Sequence, residues 1–259
     1  MRDASPSRPT GELRAIPIRG MGEVRPGDVL ADKILKALVR QKMRLERGDI
    51  LVITHKVASK AEAQIVPLQQ VKPSRAARRW AKRNRLDARV TELALSQARR
   101  VVRMERGVLI TQTRHGLVCA NSGVDLSNVD GGRSAVLLPR DPDRSAEELR
   151  RMLKESTGLE VPVIITDSFG RPWREGLTEV AIGIAGMKAF RDYRGRRDAA
   201  GYKLRASLEA VADEIAAMAG LAAGKLSRTP ACIIRGFRYE RGRGRARDLV
   251  RSAARDLFR

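Results

Sequence analysis

One short run constrains the fold more than any other: Val161-Pro162-Val163-Ile164-Ile165, rich in β-branched residues, stops abruptly on Thr166-Asp167-Ser168. A continuous apolar run bounded by breakers predicts a strand covered on both faces, and so an α/β architecture with helices flanking a sheet. Asp167 and Ser168 then fall at the C-terminal end of that strand, the edge of an open α/β sheet that faces a ligand crevice. Phe169-Gly170-Arg171-Pro172 predicts a turn that sets Arg171 and Arg174 beside the carboxylate. A carboxylate, a hydroxyl and guanidinium groups together suit a metal-bound phosphate. Taken alone, the same aspartate reads better as a strand-ending cap of the next turn paired with Arg171.

A second buried-type strand, Ile50-Leu51-Val52-Ile53-Thr54, runs into His55-Lys56-Val57-Ala58-Ser59-Lys60-Ala61-Glu62. Lys60 is placed to reach a nucleotide phosphate as a point charge, although no glycine-rich P-loop precedes it. The competing reading is a structural histidine and lysines paired with Glu62. A third segment, Leu117 to Ala120, enters a polar loop whose Asp125 and Asn128 offer an oxygen ligand to a hard cation and an amide to a nucleotide. Asx turns use the same residue types.

Around these lie the remaining expected elements. Leu13 to Ile18 predicts an edge strand, since Pro17 removes a ladder donor. Asp28 is expected to cap a helix burying Leu30, Ile34, Leu35 and Leu38. Ala63 to Gln70 reads as a strand, Ser74 and Asp87 as caps of two further helices, and 101–104 with 108–113 as a hairpin. Ser145 and Glu148 form a capping box for a helix ending at Gly158. The small residues between Leu177 and Gly186 imply close backbone packing. Leu204, Leu208, Val211, Ile215 and Met218 predict one amphipathic helix, with Asp213 and Glu214 solvated on it. Gly224 to Thr229 closes that helix, and Pro230 to Ile234 is the last core strand.

Composition bounds the partners. The chain of 259 residues can bury a full core, and no apolar run is long enough to span a membrane. Its opening, residues 1–12, is a polar leader expected to be disordered, without the apolar stretch of a secretory signal. Cys119 and Cys232 match no metal spacing and read as reduced core residues of a cytoplasmic protein. The net charge of +22 raises nucleic acid as a partner, and the segments 72–85 and 235–259 concentrate it. Aromatics at 3% are too few for base-stacking platforms, which makes nucleic acid the weaker reading, and the charge instead favours phosphorylated substrates. The basic tail, 237–259, carries Leu249, Val250 and Leu257, enough for part of it to dock as a helix.

Five blocks together resemble one family: Gly48-Asp-Ile-Leu-Val-Ile, Ser59-Lys-Ala-Glu62, Ala120-Asn-Ser-Gly-Val-Asp-Leu-Ser-Asn128, Ile165-Thr-Asp-Ser-Phe-Gly-Arg-Pro-Trp-Arg174 and Val211-Ala-Asp-Glu-Ile-Ala216. The chain resembles the coenzyme F420-0:L-glutamate ligases from about Ile16 to Gly236, within a domain spanning 13–236 that is single or two intertwined subdomains. The resemblance implies an α/β (α+β) fold with a mixed sheet and flanking helices, not a P-loop domain, assembled as a homodimer. It implies GTP as cosubstrate, coenzyme F420-0 and L-glutamate as substrates, two divalent cations (Mn or Mg) and a monovalent cation. By position, Asp125 and Asp167 look like ligands of one cation and Ser168 of the other, with Lys60 completing the catalytic set. Ile16, Pro17, Ile18, Arg19, His55, Lys56, Lys60 and Asn128 fall where the family meets GTP. So does the loop Ala223, Gly224, Lys225, Leu226, Ser227, Arg228, Thr229.

Lys225 departs from the family, which usually presents a Glu or Gln there to hold the second cation. An ammonium cannot ligate a cation. The expectation is that Lys225 takes over part of that cation's charge role. Ala63, where the family commonly has Gly, is a milder change that stiffens its turn. The alternatives are a ligase acting on another phosphorylated acid, a homologue without ligase activity, and a basic RNA-binding protein.

Overall fold

The computed structural model describes residues 11–257; the first ten residues of the expected leader lie outside them. In chain order the elements are β1 (Arg14–Ile18), α1 (Leu30–Arg40), β2 (Ile50–Thr54), α2 (His55–Ala61) and β3 (Ile65–Pro67). Then come α3 (Arg75–Asn84), α4 (Ala88–Gln97), β4 (Ala98–Glu105), β5 (Val108–Thr113), β6 (Val118–Ala120), β7 (Ser134–Val136) and α5 (Pro142–Thr157). The last are β8 (Val163–Arg171), β9 (Arg174–Ala185), β10 (Arg191–Asp192), β11 (Leu208–Glu209), α6 (Val211–Ala223) and β12 (Ala231–Arg235).

The central sheet is mixed, in the order β1-β12-β2-β8-β9, with β2 and β8 parallel and the other pairs antiparallel. Alternate residues of β2 and β8 serve two cores. Leu51, Ile53, Val163 and Ile165 pack with Ile34 and Leu38 of α1 and Leu149 and Leu153 of α5. Ile50, Val52 and Ile164 face the other way, onto Val211, Ile215 and Ala219 of α6. The apolar runs are therefore continuous because both faces are covered, as the sequence required. Each wholly buried Ile or Leu there contributes about 1.5–3 kcal/mol. β1 is the edge strand, with Pro17 opposite Cys232.

Several local expectations are corrected. Asp28 does not cap α1; its carboxylate accepts the Arg25 N–H at 2.8 Å and pairs with Lys33 at 3.0 Å, closing the turn before the helix. Only Ile65–Pro67 of the 63–70 segment is strand, paired with β7, because a 3-10 turn follows at Leu68–Gln70. α5 starts earlier than its supposed capping box: Asp141 accepts the Arg144 N–H, Pro142 occupies the first turn, and Gly158 ends the helix at φ +73°. β8 does not stop at Asp167 but continues to Arg171, so the turn with β9 falls four residues further on.

The longest misreading concerns α6. It begins at Val211; Leu204 lies outside any helix and Leu208 sits in β11, so the four-and-three spacing continued by chance across a break. Asp213 is not solvated, because its Oδ1 accepts the Ala181 N–H at 2.9 Å, and burial pushes its carboxyl up. Close backbone packing in β9 is borne out: a Cβ on Gly183 would lie 2.3 Å from the Pro142 carbonyl oxygen. Among its described residues the tail forms only 3-10 turns, at Ala246–Leu249 and Ala253–Arg255. Both cysteines are buried and free. Burial lifts the Cys119 thiol to about 12, with the Asp167 charge adding to it, and the Cys232 thiol to about 11.

Candidate functional site

The residues singled out in four separate segments gather along one edge of the central sheet. Thr54 pairs with Thr166 in the parallel ladder, so His55 and Asp167 follow side by side. Ile18 pairs with Ala231, and the Thr54 N–H donates to the Pro230 carbonyl at 2.9 Å, which brings the end of β1 and the 223–229 loop to the same edge. α2 begins directly at His55, without a glycine-rich loop, so its first turn is held against that edge by the core strand before it.

Consecutive residues of this turn meet the two aspartates. His55 Nε2 is buried and makes no hydrogen bond, standing 3.4 Å from Asp167 Oδ1 off a hydrogen-bond line. Its Nδ1 lies 3.4 Å from the Ser59 hydroxyl. Lys56 Nζ reaches Asp125 Oδ2 at 2.8 Å and donates also to Ser127 Oγ. Asp125 Oδ1 accepts the Ser127 N–H at 2.6 Å, the Asx turn foreseen for this loop. Burial pushes the Asp125 carboxyl up, but the Lys56 and Ser127 hydrogen bonds outweigh it and hold it below the usual carboxylate range. Lys60, only 7% exposed, donates to the Asn128 carbonyl at 2.8 Å and pairs with Glu23. Glu62 does not pair with either lysine; it accepts from the Ser145 hydroxyl at the other end of α2, and burial raises its carboxyl.

Ser168 occupies a second cluster. Its hydroxyl donates to Glu179 across the β8–β9 pair, and Lys225 Nζ lies 3.4 Å from it. Glu179 was missed by sequence reasoning. Counting back from the turn places Leu177 opposite Ser168, but an irregularity between Gly170 and Arg171 shifts the register and brings Glu179 there instead. α6 crosses closely enough that a Cβ on Gly220 would meet Glu179 Cγ at 2.5 Å. Arg171 and Arg174 are not beside Asp167. They sit at the hairpin tip, about 13 Å along the strand, where Arg171 donates to the Glu175 carbonyl at 3.0 Å.

The remaining nucleotide-site candidates differ in exposure. Ile16 and Pro17 are half-buried, Ile18 is buried and Arg19 exposed. In the loop, Gly224, Lys225, Leu226, Ser227 and Arg228 are exposed, Ala223 is half-buried and Thr229 is buried. Ser227 Oγ donates back to the Ala223 carbonyl and Thr229 Oγ1 to the Ser227 carbonyl at 3.2 Å, so the loop is turned by its own hydroxyls. Ala63 adopts φ +56°, a conformation that favours glycine.

Among the described residues no three His, Cys, Asp or Glu side chains gather at metal-binding distance. The donors nonetheless fit a hard cation of the kind that keeps substrate oxygens in its shell. They are carboxylate and hydroxyl oxygens, one carboxylate already carries an ammonium, and the orphaned His55 Nε2 faces the other. A further cavity lies elsewhere. It is an open cleft of about 1000 Å³ between α5, the end of β9 and the segment Tyr239–Arg247.

Fold and edge geometry are those of an α/β protein with a polar crevice at the carboxyl ends of its parallel strands. The family model of F420-0:gamma-glutamyl ligases matches residues 20–236. The chain is 44% identical to the coenzyme F420:L-glutamate ligase of Methanopyrus kandleri, over 97% of this chain and 98% of that protein. It is 43% identical to the protein of the same name from Methanothermobacter thermautotrophicus, over 95% and 99%, and 40% identical to that of Archaeoglobus fulgidus, over 95% and 96%. The chain belongs to the F420-0:gamma-glutamyl ligase family.

Proposed function

We propose that this protein joins L-glutamate to the terminal carboxylate of coenzyme F420-0 and adds further glutamates through γ-linkages, using GTP. A carboxylate is a poor electrophile. Transfer of the γ-phosphoryl group of GTP to it breaks the bridging P–O bond, releases GDP and leaves an acyl phosphate. The glutamate amine then attacks the acyl carbon, forms the amide, loses a proton and expels phosphate.

The observation that carries this reading is the first turn of α2, where His55 and Lys56 meet Asp167 and Asp125, carboxylates 42 residues apart in the chain. Asp125, Asp167 and the Ser168 hydroxyl are the oxygens that hold divalent cations, Mg or Mn, which when bound neutralise phosphate charge and align the transfer. Lys56 and Lys60 exchange their carboxylate partners for phosphate oxygens as the nucleotide enters, which makes them a stored positive site. The 223–229 loop and Arg19 border the same edge and enclose the nucleotide. Lys225, 3.4 Å from Ser168 Oγ, stands where it can carry part of a cation's charge. Assembly as a homodimer accompanies this reading.

Mass spectrometry of F420-0 incubated with GTP, glutamate and Mn, beside an Asp167→Asn control, tests the proposal. A gain of one glutamate mass in the wild type, lost in the control, supports it. No gain with GTP, or an equal gain in the control, removes it.

A further inference from the structure

The cleft beside α5 is built by a regular device. Along Arg241-Gly242-Arg243-Gly244-Arg245-Ala246-Arg247 every arginine is exposed, while the glycines are half-buried and Ala246 is buried. The small residues face the body of the protein: a Cβ on Gly244 would lie 2.4 Å from the Met187 carbonyl oxygen, and one on Gly242 would lie 2.8 Å from Lys188 Cγ. Backbone bonds from Gly244 N–H to the Met187 carbonyl (3.0 Å) and from Lys188 N–H to the Glu240 carbonyl (2.8 Å) pin the segment down. Asp143 Oδ1 accepts N–H groups from both Ala246 and Ile184 at 2.9 Å, tying it to α5 and β9. The chain runs extended into Arg245, so Arg241, Arg243 and Arg245 follow at intervals of up to about 6.6 Å, and Arg247 continues the row from the first turn of the 3-10 segment Ala246–Leu249.

The acids of the cleft do not neutralise it. Asp141 and Asp143 are engaged by backbone donors, and Glu147 and Glu160 are both held by Arg150, while Glu147 and Asp143 attract Arg243 and Arg245 without pairing with them. Among the described residues, Arg241, Arg243, Arg245 and Arg247 form no ion pair with a carboxylate, nor do Arg114 and Arg140 on the opposite wall. What results is a lane of guanidinium groups about 1000 Å³ in volume, suited to an extended ligand with repeated carboxylates.

We propose that this cleft binds the γ-linked oligoglutamate tail of the product, holding it while further residues are added. The identity of the ligand rests on the ligase reading above. A γ-glutamyl unit has five backbone bonds and places a carboxylate about every 6 Å when extended, from ordinary bond lengths, close to the strap's spacing. The rim is also within reach. Arg140 lies next to Glu62 at the end of α2, whose seven residues span about 10 Å from His55. Two units cover that span, so the first addition is independent of the cleft and later ones engage it.

The test uses fluorescence anisotropy of a labelled hexa-γ-glutamate peptide with the full chain, beside the triple variant Arg241→Gln/Arg243→Gln/Arg247→Gln. Thermal melting confirms that the variant is folded, and Arg247→Gln alone serves if it is not. Expected are binding that tightens with peptide length and weakens with salt, at least a tenfold loss in the variant, and an unchanged rate of first glutamate addition with shorter final tails. Equal binding by wild type and variant, no length dependence, or tighter binding of a single-stranded RNA of equal charge overturns the proposal. The peptide arm needs no turnover, so an inactive enzyme that still binds the peptide separates failure of the ligase reading from failure of this one.

Discussion

Two positively charged regions of this molecule handle their charge in opposite ways. At the sheet edge the lysines are partly buried and already paired, Lys56 with Asp125 and Lys60 with Glu23. Among the described residues, the arginines along the C-terminal strap are exposed and form no ion pair with a carboxylate. The first arrangement costs little to keep folded and must swap partners to bind a phosphate, so its affinity depends on geometry set by core strands. The second is a surface field, screened over about 10 Å at 0.1 M salt. Positive charge in the sequence therefore does not announce which kind of site it makes.

The sharpest way to break this comparison is to remove one partner at the edge. Asp125→Asn is expected to lower ligase activity on the order of 10²-fold or more, the scale on which loss of one charge-stabilising group slows a preorganised site. Initial rates at 50 and 300 mM salt should show the same deficit, whereas strap variants should lose their defect as salt rises. A deficit that vanishes at high salt would place Asp125 with the surface charges.

Gly183→Ala strikes what the two regions share, since α5 meets β9 where the Pro142 carbonyl leaves no room for a methyl. Destabilisation of about 1–3 kcal/mol is expected, as for other overpacked sites, measured by urea unfolding. An unchanged midpoint would mean that α5 shifts freely and does not fix the cleft.

Metal dependence sharpens the role of Lys225. Lys225→Glu restores a carboxylate beside Ser168 and should tighten Mn binding several-fold, read by titration calorimetry without turnover. Identical isotherms would remove Lys225 from the site.

Acid titration contrasts the two regions by sign. The Asp125 carboxyl is held below its ordinary value, so its stabilising contribution is present above the unfolded value near 3.8 and disappears as pH falls through the folded one. Burial raises the Asp143 carboxyl, so its contribution is present at low pH and is lost as pH rises through the folded value. As pH rises above 3.8, Asp143→Asn should therefore gain stability relative to wild type, whereas the deficit of Asp125→Asn should shrink only as pH falls below 3.8. Parallel curves would show that the two carboxylates share one environment.

The smallest expected effect is at Ala63. Relieving its φ of +56° with Ala63→Gly should stabilise by roughly 0.5–1 kcal/mol, the left-handed penalty less the added chain entropy. A loss of stability instead would mean that the methyl packs usefully.

Much of the scaffold was legible because its signals are local. The β-branched runs became β2 and β8, Ser74 and Asp87 cap α3 and α4, and Gly158 ends α5. Misreadings arose where the decisive contact is remote. Nothing near Leu204 tells that its spacing breaks before α6, and Asp213 looks solvated until the Ala181 N–H is brought to it. Glu179 beside Ser168 depends on an irregular register, and the glycines of the strap acquire meaning only against Met187 and Lys188.

By itself, the amino-acid order determined which segments are core strands, that no glycine-rich loop cradles a phosphate, and that hard oxygen donors follow two of the apolar runs. Hydrophobic burial and capping act over a few residues, so they can be read from neighbours. Only the tertiary structure decided that Lys56 meets Asp125, that the arginines near Asp167 in sequence stand at the hairpin tip, and that eight residues of the tail line a cleft. Those outcomes turn on strand register and on which side chain first satisfies a buried charge, and both are settled between segments far apart in the chain.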